Sequence, residues 1–181
     1  MQEMADLPVL RTIAVTGHRP PRFGGYDERS NDTIIAVKRS LEQVVDLLVE
    51  AGAETFISGM ALGVDTWAAE SVLGWKKRYP QIRLVCAVAF EGVERKWPPA
   101  SQERFRTILE RADQVVIVSN GGYSPEKLQK RNEWMVDHAD GLLAVWDGSP
   151  GGTAHAVHYA ESIGKPIHFV RSITPRLKAG T

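Results

Sequence analysis

Apolar residues cluster in six short runs along the chain: Thr12–Thr16, Glu54–Ser58, Ile82–Ala89, Gln114–Val118, Gly141–Trp146 and Pro166–Val170. Most are near-continuous rather than alternating, which is the pattern of parallel strands buried on both faces. Between them, apolar residues recur at helical spacing. Ile34, Val37, Leu41, Val44, Val45 and Leu48 form one stripe, stopped by Gly52. Val64, Ala68, Val72 and Trp75 form a second, ended before Pro80, and Phe105, Ile108 and Leu109 mark a third helix over 101–111. Ser124-Pro125-Glu126 combines a capping hydroxyl, a first-turn proline and an early acid, so it predicts a helix start running to about His138. A fifth helix is expected from Thr153 to Ile163, with Gly164 after it. Alternating strands and helices predict right-handed crossovers and an α/β fold: a doubly wound, mostly parallel sheet of about six strands with helices on both faces.

In such sheets ligands collect beyond the carboxyl ends of the strands, where strand order reverses. The segments expected at that edge are Gly17–Gly25, Ser58–Asp65, Phe90–Pro99, Ser119–Tyr123 and Asp147–Thr153. Two of them pass from strand through a glycine loop straight into a helix: Ser58-Gly59-Met60-Ala61-Leu62-Gly63 and Asp147-Gly148-Ser149-Pro150-Gly151-Gly152-Thr153. A helix start presents unpaired N–H groups and the positive end of the dipole, and glycine lets an anion approach. The pair therefore points to a phosphate-bearing ligand held between converging loops. The first crossover differs, because Pro20-Pro21 prevents an immediate helix and leaves a loop of roughly a dozen residues that could fold over the ligand.

At 181 residues the chain fits one domain, with a core over about 11–171 and a frayed tail over 172–181. Lys plus Arg total 22 and Asp plus Glu total 22, so no net field draws in nucleic acid or an anionic membrane surface. The one cysteine, Cys86, lies in an apolar run and reads as an inert buried thiol, which suits a reducing cytoplasm. No run is long enough to span a membrane, and Met1–Pro8 lacks the layout of a secretion signal. The histidines His155, His158 and His168 share no metal-binding spacing with an acid, so neither a metal nor a cofactor is expected. Five tryptophans and alanine-rich helix faces are compatible with a homodimer.

The candidate chemistry sits at the strand ends. Gly151, Gly152 and Thr153 can hold phosphate through amides and a hydroxyl, with Ser58, Gly59 and Gly63 as the earlier counterpart. Arg19 follows Gly17 and His18 on the first loop, and guanidinium groups grip phosphate oxygens in pairs; Arg22 is a second choice. His18 reads either as a phosphate ligand or proton shuttle or as a structural residue. Asp65 sits in a first helical turn, where it either stabilises the dipole or accepts ribose hydroxyls. Asp147 either holds a ribose or caps its turn. Arg131, Asn132 and Glu133 are adjacent on one helix, so at most two face one site; Arg131 and Asn132 are preferred, and Glu133 is the nearest carboxylate for acid–base work. Tyr123, Trp97 and Trp146 are alternatives between base stacking and core lids.

Three blocks give the chain a resemblance to the SMF/DprA–LOG (SLOG) superfamily of Rossmann-like proteins, and within it to the YpsA/YoqJ-like branch of bacteria and phages. They are Val15-Thr16-Gly17-His18-Arg19-Pro20, Ser58 through Asp65 to Glu70, and Arg131-Asn132 through Met135 and Asp140 to Gly151-Gly152-Thr153. The resemblance implies a nucleotide or nucleotide-derived ligand at the strand ends, with a sensor as one role. LOG members of the superfamily are phosphoribohydrolases that free a base from a nucleoside monophosphate. Their pattern places an arginine four residues before a methionine, matched by Arg131 and Met135, and a Pro-Gly-Gly loop, partly matched by Pro150-Gly151-Gly152-Thr153. Their catalytic glutamate is not matched: Ala154, His155 and Ala156 follow, and no acid appears before Glu161. Cleavage or transfer at an N-glycosidic bond therefore stands as the alternative, with Glu133 or Asp65 as substitute carboxylate and Arg131 assisting. Single-stranded DNA binding, as in DprA relatives, is the third reading, and the neutral charge argues against it.

Overall fold

Strands and helices alternate through the 162-residue stretch that the computed structural model describes, residues 9–170. The expectations for Met1–Pro8 and for the tail lie outside the described residues. The elements run β1 (Thr12–Gly17), α1 (Asp32–Glu50), β2 (Thr55–Ser58), α2 (Val64–Trp75), β3 (Arg83–Phe90), α3 (Pro99–Arg111), β4 (Gln114–Ser119), α4 (Pro125–Asp137), β5 (Gly141–Val145), α5 (Gly152–Ser162) and β6 (Ile167–Phe169). Six strands form one sheet in the order β4-β3-β2-β1-β5-β6, and every neighbouring pair is parallel. The chain builds outward from β1 to β4, then returns to place β5 on the other side of β1. Strand order reverses between β1 and β5. This is the doubly wound, Rossmann-like α/β fold.

The pleat sends alternate residues to two cores. Ile13, Val15, Phe56, Leu84, Leu143 and Val145 face α1, α2 and α3, where Ile34, Val37, Leu41, Trp67 and Phe105 meet them. Ala14, Ile57, Ala87, Leu142 and Ala144 face α4 and α5, against Met135, Val136, Val157 and Ala160. The second face is rich in alanine, which lets the helices carrying Arg131 and Thr153 lie low on the sheet. Sequence-readable caps hold as expected: Ser124 Oγ accepts from the Lys127 amide at 3.3 Å, and α4 follows from Pro125. No helix among the described residues is long and apolar enough to cross a membrane.

Two expectations need correction. The runs at Gln114–Val118 and Pro166–Val170 hold strands but not buried ones; Val115 is 43%, Ile117 51% and Phe169 42% exposed. Strand order puts β4 and β6 at the two sheet edges, and α3 packs beside α2 rather than over β4. The long first loop is anchored to the body of the fold. Pro20–Phe23 wind into a 3₁₀ turn whose Phe23 is buried against Trp67, ring centroids 5.6 Å apart. Glu28 then ties the loop to Lys38 of α1, to the Trp67 indole N–H of α2 and to Arg104 of α3.

Candidate functional site

The reversal of strand order leaves β1 and β5 with connections leaving in opposite directions, and a cleft of about 460 Å³ opens at their carboxyl ends. Its walls are Thr16, Gly17, His18, Arg19, Pro21 and Arg22 from the end of β1, Ala61 and Asp65 from the α2 entrance, Leu128, Arg131 and Asn132 from α4, and Gly152 and Thr153 from α5. Both glycine loops thus contribute to one cleft, and α4 stitches them together. Arg131 donates one N–H to the Gly59 carbonyl and its Nε–H to Asn132 Oδ1 at 3.0 Å; Asn132 Nδ2 donates to the Gly152 carbonyl at 3.0 Å. Arg131 also faces Asp65 Oδ2 at 3.7 Å, with both side chains under a tenth exposed.

The two loops differ in what they leave open. The α2 start, capped by Gly63 and likewise without a side-chain cap, is closed by packing and by bonds of the loop before it: Ser58 Oγ accepts from the Met60 N–H, Asp65 Oδ2 from the Ala61 N–H, and the His18 carbonyl from the Val64 N–H at 3.3 Å. A β-carbon on Gly63, whose φ is +94°, would lie 2.6 Å from the His18 carbonyl oxygen. Glycine is there for chain packing. At α5 the capping position is Gly151, no side chain caps the helix, and its first turn holds no acid. A β-carbon on Gly151 or Gly152 would meet nothing within 4 Å. The α5 start is the open donor site.

Positive charge surrounds that start. Arg19 is exposed on the cleft wall and has no carboxylate partner among the described residues. Arg22 Nε lies 3.2 Å from Asp147 Oδ2. His18 Nε2 lies 2.8 Å from Asp147 Oδ1 and 3.2 Å from the Asp147 amide nitrogen. One ring nitrogen cannot serve both, and the shorter, charge-assisted contact governs, with Nε2–H donating to the carboxylate. Burial pushes the Asp147 carboxyl up, but the Ser149 hydroxyl and amide, with His18, reverse this and hold it well below the usual carboxylate range. Burial pushes the Asp65 carboxyl up, against the opposing pull of Arg131 and the Ala61 amide.

Of the sequence candidates, Gly17, His18, Arg19, Asp65, Arg131, Asn132, Gly152 and Thr153 line the cleft, together with Arg22. Ser58, Gly59, Gly63, Asp147 and Gly151 stand behind its walls and set their shape. Glu133 points elsewhere: its carboxylate meets His155 Nε2 at 3.4 Å on the α4–α5 side, because two steps of about 100° each put it nearly opposite Arg131 on the helix. The aromatic candidates also lie outside the lining. Tyr123 meets Phe90, Trp97 meets Phe105, and Trp146 contacts His158 and Phe169. Trp97 and Trp146 are part-buried packing residues, and Tyr123 is 71% exposed. The sequence reading omitted Thr16, Pro21, Ala61 and Leu128. Leu128 was reachable, since it lies three residues before Arg131 on the same helix face.

A match to the YspA SLOG family (YpsA) spans residues 13–172. The chain is 32% identical over 169 residues to the UPF0398 protein of Halalkalibacterium halodurans, a match covering 92% of this chain and 89% of that one. It is 33% identical over 143 residues to the SPbeta prophage-derived protein YoqJ of Bacillus subtilis, covering 72% and 84%. Among solved structures, DNA processing protein A of Helicobacter pylori, studied for its single-stranded DNA binding mode, matches with a TM-score of 0.57 at 17% identity. The Streptococcus pneumoniae protein matches with 0.60 at 17%. Each structural match covers 87% of this chain, but only 64% and 49% of those chains, and the likeness is one of fold.

Proposed function

The chain belongs to the YspA SLOG family, and from that premise we propose that it binds a nucleotide or nucleotide-derived ligand, as a sensor, with the ligand's phosphate at the start of α5. One observation carries the reading: the α5 start is uncapped by any side chain and opens into a cleft bordered by Arg19, Arg22 and Arg131. Unsatisfied first-turn amides, the helix dipole and guanidinium groups each favour an anion, and Gly152 offers no β-carbon to obstruct it. Among the described residues that border the cleft, Arg19 is the arginine without a carboxylate partner, since Arg131 is committed to Gly59, Asn132 and Asp65 and Arg22 to Asp147. Lack of an acid in the α5 first turn, where LOG-like hydrolysis needs its glutamate, favours binding over catalysis.

Thermal unfolding against a panel of nucleoside monophosphates, ADP-ribose and cyclic nucleotides tests this. A ligand selective for the native state raises the midpoint. The expected result is a rise with at least one phosphorylated member, abolished in Gly152→Ala; no rise with any member overturns the proposal.

A second reading rests on Asp65, the carboxylate that does line the cleft. It would stabilise the positive charge that develops on the sugar as an N-glycosidic bond breaks. Incubation with nucleoside monophosphates and chromatography for free base decides it; release abolished in Asp65→Asn supports cleavage, and no release at high protein concentration excludes it.

A further inference from the structure

The cleft has an unusual balance of linings. Its apolar side chains are Pro21, Ala61 and Leu128, and the one aromatic ring in the lining among the described residues, His18, is nine-tenths buried, bonded to Asp147 and set edge-on to Phe23, so it presents no open face. A nucleobase is held mainly by stacking on a flat π face, which contributes about 1–3 kcal/mol per base where it occurs. Of the aromatic residues near the strand ends, Trp97 and Trp146 are engaged in packing contacts, and the exposed Tyr123 stands outside the lining. What the cleft offers is hydrogen-bonding groups that are more than nine-tenths buried. Thr16 and Thr153 are 7% and 8% exposed, line the cleft, and have hydroxyls without a partner among the described residues. Asp65 is 5% exposed; its Oδ2 faces the Ala61 amide and Arg131, whereas its Oδ1 has no partner among the described residues.

These atoms have no partner among the described residues and open onto the cleft, so a ligand can take up their hydrogen bonds in place of water. A phosphate satisfies the α5 amides and the Thr153 hydroxyl. It cannot satisfy Asp65, because two anions repel. A carboxylate oxygen facing the same cleft as a phosphate site calls for a neutral hydroxyl donor, at a few bonds' remove from the phosphorus. A phosphorylated sugar carries both groups in one molecule.

Resting on the reading that this cleft binds a phosphorylated ligand, we infer that it recognises the sugar-phosphate portion and leaves the base unread, so that its ligand class is a pentose phosphate, free or as the ribose-phosphate end of a nucleotide. The phosphate lies on the α5 start beside Arg19, a sugar hydroxyl donates to Asp65 Oδ1, and any base projects past Leu128 and Pro21 toward solvent.

Calorimetric titration of the full chain distinguishes these parts. The probes are ribose 5-phosphate, inorganic phosphate, adenosine and the four common nucleoside monophosphates. Expected are ribose 5-phosphate and all four monophosphates binding within about threefold of one another, at least about tenfold tighter than inorganic phosphate, and adenosine not binding. A single monophosphate binding while ribose 5-phosphate fails overturns base-blind recognition and leaves the nucleotide reading standing. Inorganic phosphate binding as tightly as ribose 5-phosphate overturns the sugar contact. Failure of every phosphorylated probe overturns both readings. In Asp65→Asn, verified as folded by circular dichroism, ribose 5-phosphate is expected to approach the affinity of inorganic phosphate; unchanged discrimination removes Asp65 from the sugar contact. The wild-type series stands without that variant.

Discussion

Arg131 shows how a buried charge is made tolerable: its guanidinium meets the Gly59 carbonyl, the Asn132 carboxamide and the Asp65 carboxylate. Removing one partner of such a pair leaves the other charged and dry. Asp65→Ala should therefore lower stability by about 3–5 kcal/mol in urea unfolding. Leaving stability within about 1 kcal/mol of wild type would show that the pair is solvated. Cys86 presents the opposite case. It is fully buried in β3, and burial, followed by the nearby Asp113, pushes its thiol up to about 12. The thiolate is the reactive form, so the native protein should not react with a disulfide reagent at pH 8, whereas unfolded chain should react at once. These two residues also mark the limits of residue-level reading. An inert Cys86 is legible from its apolar neighbours, while the Arg131–Asp65 pair joins positions 66 apart that nothing local connects.

At the scale of elements, the helix starts of α2 and α5 look alike in sequence and behave differently in structure. Gly63→Ala places a β-carbon on the His18 carbonyl at a positive φ, and is expected to cost about 1–3 kcal/mol. Gly152→Ala meets open space and adds a good helix former, so its melting temperature should match or exceed that of wild type. Because a helical β-carbon tilts toward the N-terminus, that methyl leans into the proposed phosphate position, and binding should fall even as the fold persists. A stable Gly152→Ala variant with full affinity would move the phosphate elsewhere. The first loop has its own signature. Burial pushes the Glu28 carboxyl up, but hydrogen bonds from Arg104, Trp67 and Lys38 outweigh it and bring it from 4.5 to about 2. A depressed carboxyl stabilises the fold above its unfolded value, and that contribution is lost as pH falls from about 4.5 toward 2. Glu28→Gln should be less stable than wild type at pH 7, with the two denaturation midpoints converging near pH 2. Parallel curves across that range would show that Glu28 does not hold the loop.

For the whole molecule, the doubly wound order decides where function can reside, since reversal between β1 and β5 opens a crevice that no other neighbouring pair shares. A ligand seated there touches β1, α2, α4 and α5 together, so its binding should be felt globally. At a concentration of about 100 times its Kd, the melting temperature should rise by about 5–10 °C, the scale expected for a chain of this length. A ligand that binds by calorimetry yet leaves the midpoint unchanged would be binding the unfolded chain as well. The chain's own pattern determined the six strands, the five helices, the parallel class and the two glycine loops, because periodicity and capping act over a few residues. It also limited the three adjacent residues Arg131, Asn132 and Glu133 to at most two at one site, because each step along a helix turns the side chain by about 100°. Tertiary structure decided the rest: that β4 and β6 are exposed edges, that Glu133 meets His155, that Tyr123, Trp97 and Trp146 lie outside the cleft lining, and that Gly63 at the α2 start is packed against His18 while Gly152 at the α5 start meets open space. Each of these depends on strand order and on contacts between distant segments, and neither is encoded in the spacing of neighbouring residues.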